Sequence, residues 1–322
     1  PTITAGSIKT HLLNPQNGPL TMSGAVDWFL ERKAEEAGTH ISRRSYLSYA
    51  QRGRNIKAFF LHARLTQQLA DEFTPAVADK MVRFFIEERK YKNSHVNKHL
   101  DLVKMMLRAA FDADRISKNP LKRYRELPED DPDTTHLTDE EIDRWEALTD
   151  LNPRPEKVRD FLLVCIETGV HYADYVGLVR RGRIDTDADG MQWVVSKRQK
   201  TDKPIEVPVT PRLARLLEKY GGLARLPVLS NVQVNNFLKV LAERAGITKT
   251  VTSKTGRKTF AHARLNADLM SDTITAAMLG LSSPSHLGHY AAVRREGIKK
   301  AWEGRKTAKP SGDSSTNLPS EP

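Results

Sequence analysis

The sequence predicts a mainly α-helical protein with a small β-hairpin (an α+β chain), divided into two domains. Three observations carry this. Apolar residues recur at helical spacing through most of residues 22–125. An acidic, proline-bearing stretch, "ELPEDDPDTTH", occupies residues 126–136. Beyond it, helical patterns are interrupted by two short β-rich runs, "MQWVVS" and "IEVPVT". A chain of 322 residues is long enough for two domains of ordinary size.

Residues 1–21 are polar, broken by Asn14-Pro15 and Gly18-Pro19, and read as a loose lead-in. The clearest helix of residues 22–125 lies in "NSHVNKHLDLVKMMLRAAFDADRISKNP". There Val96, Leu100, Val103, Leu107 and Phe111 form one apolar stripe, with Asn93 or Ser94 as the expected cap. Lys98, Lys104 and Arg108 fall largely off that stripe and are candidates for contacting phosphates; a solvated charged face is the alternative. Residues 126–136 read as a linker. Thr138 and Glu141 then form a capping box that opens a second domain, residues 137–303. Its first long helix, "PEKVRDFLLVCIETG", has Pro155 near its start and Gly169 near its end, and buries Cys165. The basic "KRQKTDK" joins the two β-rich runs into a hairpin. Thr210-Pro211 starts the next helix, Asn231 caps another, and two or three more follow from Thr252. Residues 304–322 are rich in Ser, Pro and Gly and read as a disordered tail.

Lys and Arg number 51 against 40 Asp and Glu, a net charge of +11 that points to a polyanionic partner. No run of 18 apolar residues is present, so no membrane span is expected, and no secretory pattern opens the chain. A single cysteine cannot make an internal disulfide or a Cys-rich zinc site, and fits a reducing cytoplasm.

Five motifs follow one another in the second domain: "ETGVHYADYVGL", "SKRQKTDKPIEVPV", "SKTGRKTFAHARL", "MLGL" and "HYAAV". In order and spacing this series resembles the tyrosine recombinases, the phage-type integrases, and especially their Bacteroidetes members. The resemblance spans about residues 22–303. It implies a helical core-binding domain and a catalytic domain that close as a C-shaped clamp on double-stranded DNA. It also implies a homo-tetramer on paired DNA sites in the bacterial cytoplasm, and chemistry that needs no cofactor and no metal. The helix "EGIKKAWEGRK" is the segment such proteins exchange between neighbours.

The same resemblance assigns roles. Tyr290, just after His289, matches the nucleophile that becomes joined to a 3′ phosphate. Arg257 matches the second arginine of the family and would clamp a phosphate oxygen through its planar fork. Lys200 matches the catalytic lysine, the general acid for the leaving 5′ oxygen, with Lys197 as a close rival. Asp174 matches the acidic residue that supports the first arginine. Arg198, Arg180 and Arg181 are read as further DNA-contacting cations, and Arg180, Arg181 or Arg183 as able to reach into the site.

Three positions depart from the family's pattern. His171 stands where the first arginine is usual, as a weaker clamp lacking the guanidinium fork. Lys254 stands where a histidine is usual, as a donor but a poorer proton shuttle near neutral pH. Leu281 stands where histidine or tryptophan is usual and cannot donate. His286 and His289 flank the tyrosine and are candidates to replace that donor. Three functions follow, in this order: strand cleavage and rejoining, a degenerate relative that binds DNA without cutting it, or a basic helical protein that binds RNA or a protein partner.

Overall fold

The computed structural model describes residues 19–307. Most of the expected lead-in and tail therefore lies outside the described residues. The chain divides into two units that meet between Asp131 and Pro132.

The first unit is helical: α1 (Met22–Glu35), α2 (Arg43–His62), α3 (Pro75–Arg83) and α4 (Asn93–Asp112). Thr21 and Ser42 open α1 and α2, their hydroxyls accepting the N–H groups of Gly24 and Ser45. Phe59, Phe60, Phe73 and Phe85 build the core together with Val96, Leu100, Val103 and Leu107 of the expected stripe. Phe111, the last of that stripe, is 44% exposed, because the stripe runs off the core in the final turn. The α4 cap differs from expectation. Neither Asn93 nor Ser94 caps it; Lys92 occupies the cap position without a side-chain bond. Asn93 instead donates its amide to the Pro128 carbonyl at 2.8 Å. Buried Asn97 donates to the Leu127 carbonyl and accepts its N–H, at 2.8 and 2.9 Å. A buried amide must find such partners, and here they lay the start of the acidic stretch along α4.

The second unit is built on α6 (Pro153–Thr168), whose residues Phe161 to Ile166 are all buried. Pro153 sits in its first turn, and Gly169 ends it at φ +67°, a left-handed conformation that suits glycine. Before it lies α5 (Asp139–Glu146), opened by the Thr138–Glu141 capping box; after it, α7 (Tyr172–Arg181). A three-stranded antiparallel sheet follows, ordered β1 (Arg183–Thr186), β2 (Gln192–Lys197), β3 (Pro204–Pro208). Val194 is in register with Ile184 on one side and Val207 on the other. The sequence predicts β2 and β3 but not β1. "RIDT" is four residues with two charges, too short to show alternation.

The remaining elements are α8 (Pro211–Tyr220), α9 (Asn231–Arg244), α10 (Thr255–His262), α11 (Asp272–Met278) and α12 (Arg295–Thr307). Thr210 caps α8 as expected. Ser230, not Asn231, caps α9, and it does so in a capping box with Gln233. A π turn, Ala263–Ala267, extends α10, and a 3₁₀ turn, Pro284–His289, precedes Tyr290. Residues Gly304 to Thr307, which composition assigns to the tail, belong to α12. Polar contacts hold the start of that helix and the residues leading into it. Asn266 accepts the Arg294 N–H at 2.7 Å and donates to the Ala292 carbonyl at 3.2 Å. His262 lies 3.0 Å from Glu296. Its apolar residues Ile298 and Trp302 are both 61% exposed. Among the described residues no single helix is long and apolar enough to cross a membrane.

Helices α6 and α10 touch where Gly256 faces Cys165. A Cβ on Gly256 would lie 2.5 Å from the Cys165 Cβ and 3.1 Å from the Ile166 nitrogen. Gly256→Ala should therefore lower stability by about 1–3 kcal/mol through overpacking. Gly288, with open space around it, is the control: Gly288→Ala should stay within about 0.5 kcal/mol. Urea unfolding of the two variants checks both values.

Candidate active site

Two helix ends create the site. At the end of α11 the Leu281 N–H bonds the Ala276 carbonyl and the Gly280 N–H bonds the Ala277 carbonyl, both at 2.9 Å. With Gly280 at φ +59°, this is a Schellman turn, and it explains the "MLGL" motif. The turn leaves the Leu279 and Gly280 carbonyls free to face other elements. The end of α6 leaves the Gly169 carbonyl in the same way.

Arg257, one of the largest fully buried side chains, spans these ends. Its Nη1 donates to the Gly169 carbonyl and its Nη2 to the Leu279 carbonyl, each at 2.8 Å. Helix C-termini carry partial negative charge, so they are suited to hold a buried cation. The guanidinium carbon lies 4.6 Å from the centroid of the Tyr290 ring, within cation–π range. Burial works against the charge on Arg257, and nearby Arg198 adds to this, so its pKa falls below that of free arginine.

The β2–β3 turn approaches from the other side. Residues 194, 196 and 198 are all buried, so the inward face of β2 continues through Val194 and Ser196 to Arg198. The Arg198 Nη2 donates to the Tyr290 hydroxyl at 3.1 Å. Three bonds pin the turn: Arg198 N–H to the Lys203 carbonyl, Gln199 N–H to Asp174, and the Thr201 hydroxyl to the Gly280 carbonyl, at 2.8, 2.8 and 3.0 Å. Gly280 is needed here, since a Cβ would lie 3.1 Å from the Arg198 Cβ and from the Pro204 carbonyl.

His171, at the start of α7, turns its Nδ1 to Asp174 at 2.7 Å. Burial raises the pKa of the Asp174 carboxyl. The hydrogen bond and charge of His171, the Gln199 N–H and the charge of Arg257 outweigh it, and the carboxyl sits below its ordinary value.

Of the residues singled out in the sequence, Tyr290, Arg257, His171 and Asp174 meet around the β2–β3 turn. Lys200 projects from that turn and is exposed; Lys197 points outward and lies 3.5 Å from Asp202. Lys254 is exposed just before α10, one turn from Arg257. His289 is exposed, and exposed His286 bonds Ser282 at 3.2 Å. Leu281 is buried as part of the core. Arg180 and Arg181 are exposed at the end of α7, and Arg183 bonds Asp185 at 2.8 Å. Arg198, read from the sequence as a DNA-contacting cation, is the arginine whose Nη2 reaches the Tyr290 hydroxyl. Alternation along β2 was the signal for it, since inward Val194 and Ser196 put Arg198 inward and Lys197 outward. In the first unit Lys98 is exposed, Lys104 is ion-paired with Glu126 at 2.9 Å, and Arg108 lies 3.7 Å from Asp112.

No family model matches the chain, and no curated protein matches it in sequence. Solved structures do match in fold. The Tn1549 transposon integrase, solved with a circular intermediate DNA, aligns with a TM-score of 0.66 at 14% identity, covering 88% of this chain and 99% of that one. Lambda integrase, solved as a dimer on a core site, aligns at 0.65 and 18% identity, covering 85% and 96%. The XerH site-specific recombinase, solved in a post-cleavage complex with a palindromic difH substrate, aligns at 0.63 and 15% identity, covering 92% and 88%. Lambda integrase has also been solved as a tetramer bound to a Holliday junction. The chain thus has the tyrosine-recombinase fold.

Two outcomes test this geometry. Arg257→Ala strips partners from two buried carbonyls at about 1–3 kcal/mol each, and should cost at least about 2 kcal/mol in urea unfolding. A carboxyl depressed in the folded state stabilises the fold above its unfolded pKa, near 4, and that contribution is lost as pH falls through the folded value. Asp174→Asn should therefore lose less stability on acidification below about pH 4 than the unsubstituted chain, in thermal unfolding measured against pH.

Proposed function

We propose that this tyrosine-recombinase fold cuts and rejoins duplex DNA through a covalent bond between Tyr290 and a 3′ phosphate. The observation that carries the reading is the setting of Tyr290, its hydroxyl bonded by Arg198 and its ring beside the buried guanidinium of Arg257. In the reaction the tyrosine oxygen attacks phosphorus, the bond from phosphorus to the 5′ oxygen breaks, and the phenolic proton leaves to water. Lys200, exposed on the β2–β3 turn, protonates the departing 5′ oxygen. Guanidinium donors stabilise the crowded, doubly negative transition state. The phosphotyrosine bond keeps the energy of the broken link, and reversal of the steps rejoins a strand.

Exposed Lys98, Lys200, Lys254, Arg180 and Arg181 supply phosphate contacts in this reading, with Lys104 and Arg108 joining once DNA competes with Glu126 and Asp112. Affinity then falls steeply with salt. The DNA-bound state of the three similar proteins supports a duplex partner. The lambda integrase tetramer supports assembly on paired sites. Helix α12, with Ile298 and Trp302 exposed, is the segment we assign to contact between copies.

A second reading is a chain that grips DNA without cutting it. It is favoured by one observation: Leu281, buried in the core, cannot donate to a phosphate oxygen.

A duplex selected from a randomised library on the protein, then nicked beside the cleavage point, separates the two readings. Strand cleavage yields a denaturant-stable protein–DNA adduct that Tyr290→Phe abolishes while leaving binding intact. Bound DNA with no adduct in the unsubstituted chain rejects cleavage in favour of the second reading. Lys200→Ala should slow adduct formation by about 10²–10⁴-fold, and a sulfur in place of the 5′ bridging oxygen, which leaves without a proton, should restore it.

A further inference from the structure

We infer that Arg198, rather than the histidine at position 171, supplies the second guanidinium of the phosphate clamp, and that His171 acts by positioning it. The inference rests on the strand-cleavage reading and assigns a catalytic residue within it.

His171 is spent on a carboxylate: its Nδ1 lies 2.7 Å from Asp174. The other Asp174 oxygen accepts the N–H of Gln199, the residue after Arg198. A path of direct contacts thus runs from the imidazole through a buried carboxylate to the backbone of the turn that carries Arg198. His171 is linked to Arg198 by the same contacts that keep its ring nitrogen on Asp174.

Arg198 has the features of an anion clamp. It is 7% exposed, and its Nη2 already touches the hydroxyl of Tyr290. Its Nη1 is 3.5 Å from the Gly280 carbonyl, a weak bond, and its Nε is buried with no hydrogen-bond partner among the described residues. Arg257 likewise has a buried, unpartnered Nε. No carboxylate is ion-paired with either guanidinium among the described residues. Two buried guanidinia therefore flank one tyrosine, each with N–H groups to spare, and they repel each other. A buried donor without a partner is costly, and so are like charges held close in low dielectric. A diester phosphate answers both costs, because its non-bridging oxygens accept from guanidinium forks and carry the opposite charge.

In the reaction the tyrosine oxygen–phosphorus bond forms and the phosphorus–5′ oxygen bond breaks. Arg198 exchanges no proton. Its Nη2 passes from the tyrosine hydroxyl to a non-bridging oxygen as the phosphate enters, leaving the tyrosine oxygen free to attack.

The test uses the full chain and the selected, nicked duplex in two forms, one with the natural scissile phosphate and one with an uncharged methylphosphonate. At saturating protein, Arg198→Ala should form adduct about 10²–10³-fold more slowly on the natural phosphate. The methylphosphonate should recover most of that loss, since a neutral centre no longer needs the guanidinium. Arg198→Lys keeps the charge without the fork and should fall between the two, which guards against a misfolded alanine variant. His171→Ala should slow adduct formation less than Arg198→Ala, and the double variant should be no slower than Arg198→Ala alone. Natural-phosphate cleavage undiminished in Arg198→Ala, or a loss that the methylphosphonate does not recover, overturns the assignment and leaves strand cleavage standing. Bound DNA with no adduct from the unsubstituted chain overturns both.

Discussion

The buried guanidinium of Arg257 is the interaction on which the second unit's site depends. It joins the C-terminal ends of α6 and α11 through the carbonyls of Gly169 and Leu279. Neither end could offer its carbonyl without a residue in the left-handed conformation to close the helix, and both use glycine. Space is tight as well. A Cβ at Gly169 would lie 2.7 Å from Leu279 and 2.8 Å from Phe260. The arginine, the two glycines and the helix packing form one unit, and the tyrosine ring stands beside the cation that unites them. Arg257 therefore has a structural task before any chemical one.

Much of this was legible in the sequence, and what was legible was local. The capping box at Thr138, the Thr210 cap, the glycine stop after α6 and the hairpin all follow from short-range patterns. The "MLGL" motif was recognised by resemblance, but its physical meaning appears only when the freed carbonyls meet Arg257 and Thr201. Arg198 was legible in principle, because alternation from Val194 and Ser196 points it inward. The resemblance marks it only as a DNA-contacting cation and gives the chemical role to Lys200, two residues on. Strand β1 was too short to alternate, and Ser230 displaced Asn231 as a cap because a second residue, Gln233, completes the box. Lys104 could not be seen as engaged from its helix alone, since its partner Glu126 comes from the acidic stretch.

That stretch does more than separate two units. Its first residues are fixed to α4 by Asn93 and Asn97. Its later ones belong to the second unit, where Asp133 pairs with Lys258 at 2.7 Å and, just past the stretch, the Leu137 N–H bonds Thr259 at 3.0 Å. Each end is tied to its own unit.

The contact between Gly256 and Cys165 has a practical side. The chain's one thiol is wholly enclosed, and burial pushes its pKa well up, so it is held as a thiol. It is shielded from alkylating and oxidising reagents for as long as α6 and α10 stay together. A cysteine introduced on the surface can thus carry a fluorophore or a crosslinker while the native one stays silent. Once the helices part, Cys165 becomes a built-in reporter of their separation, with no change to the natural sequence.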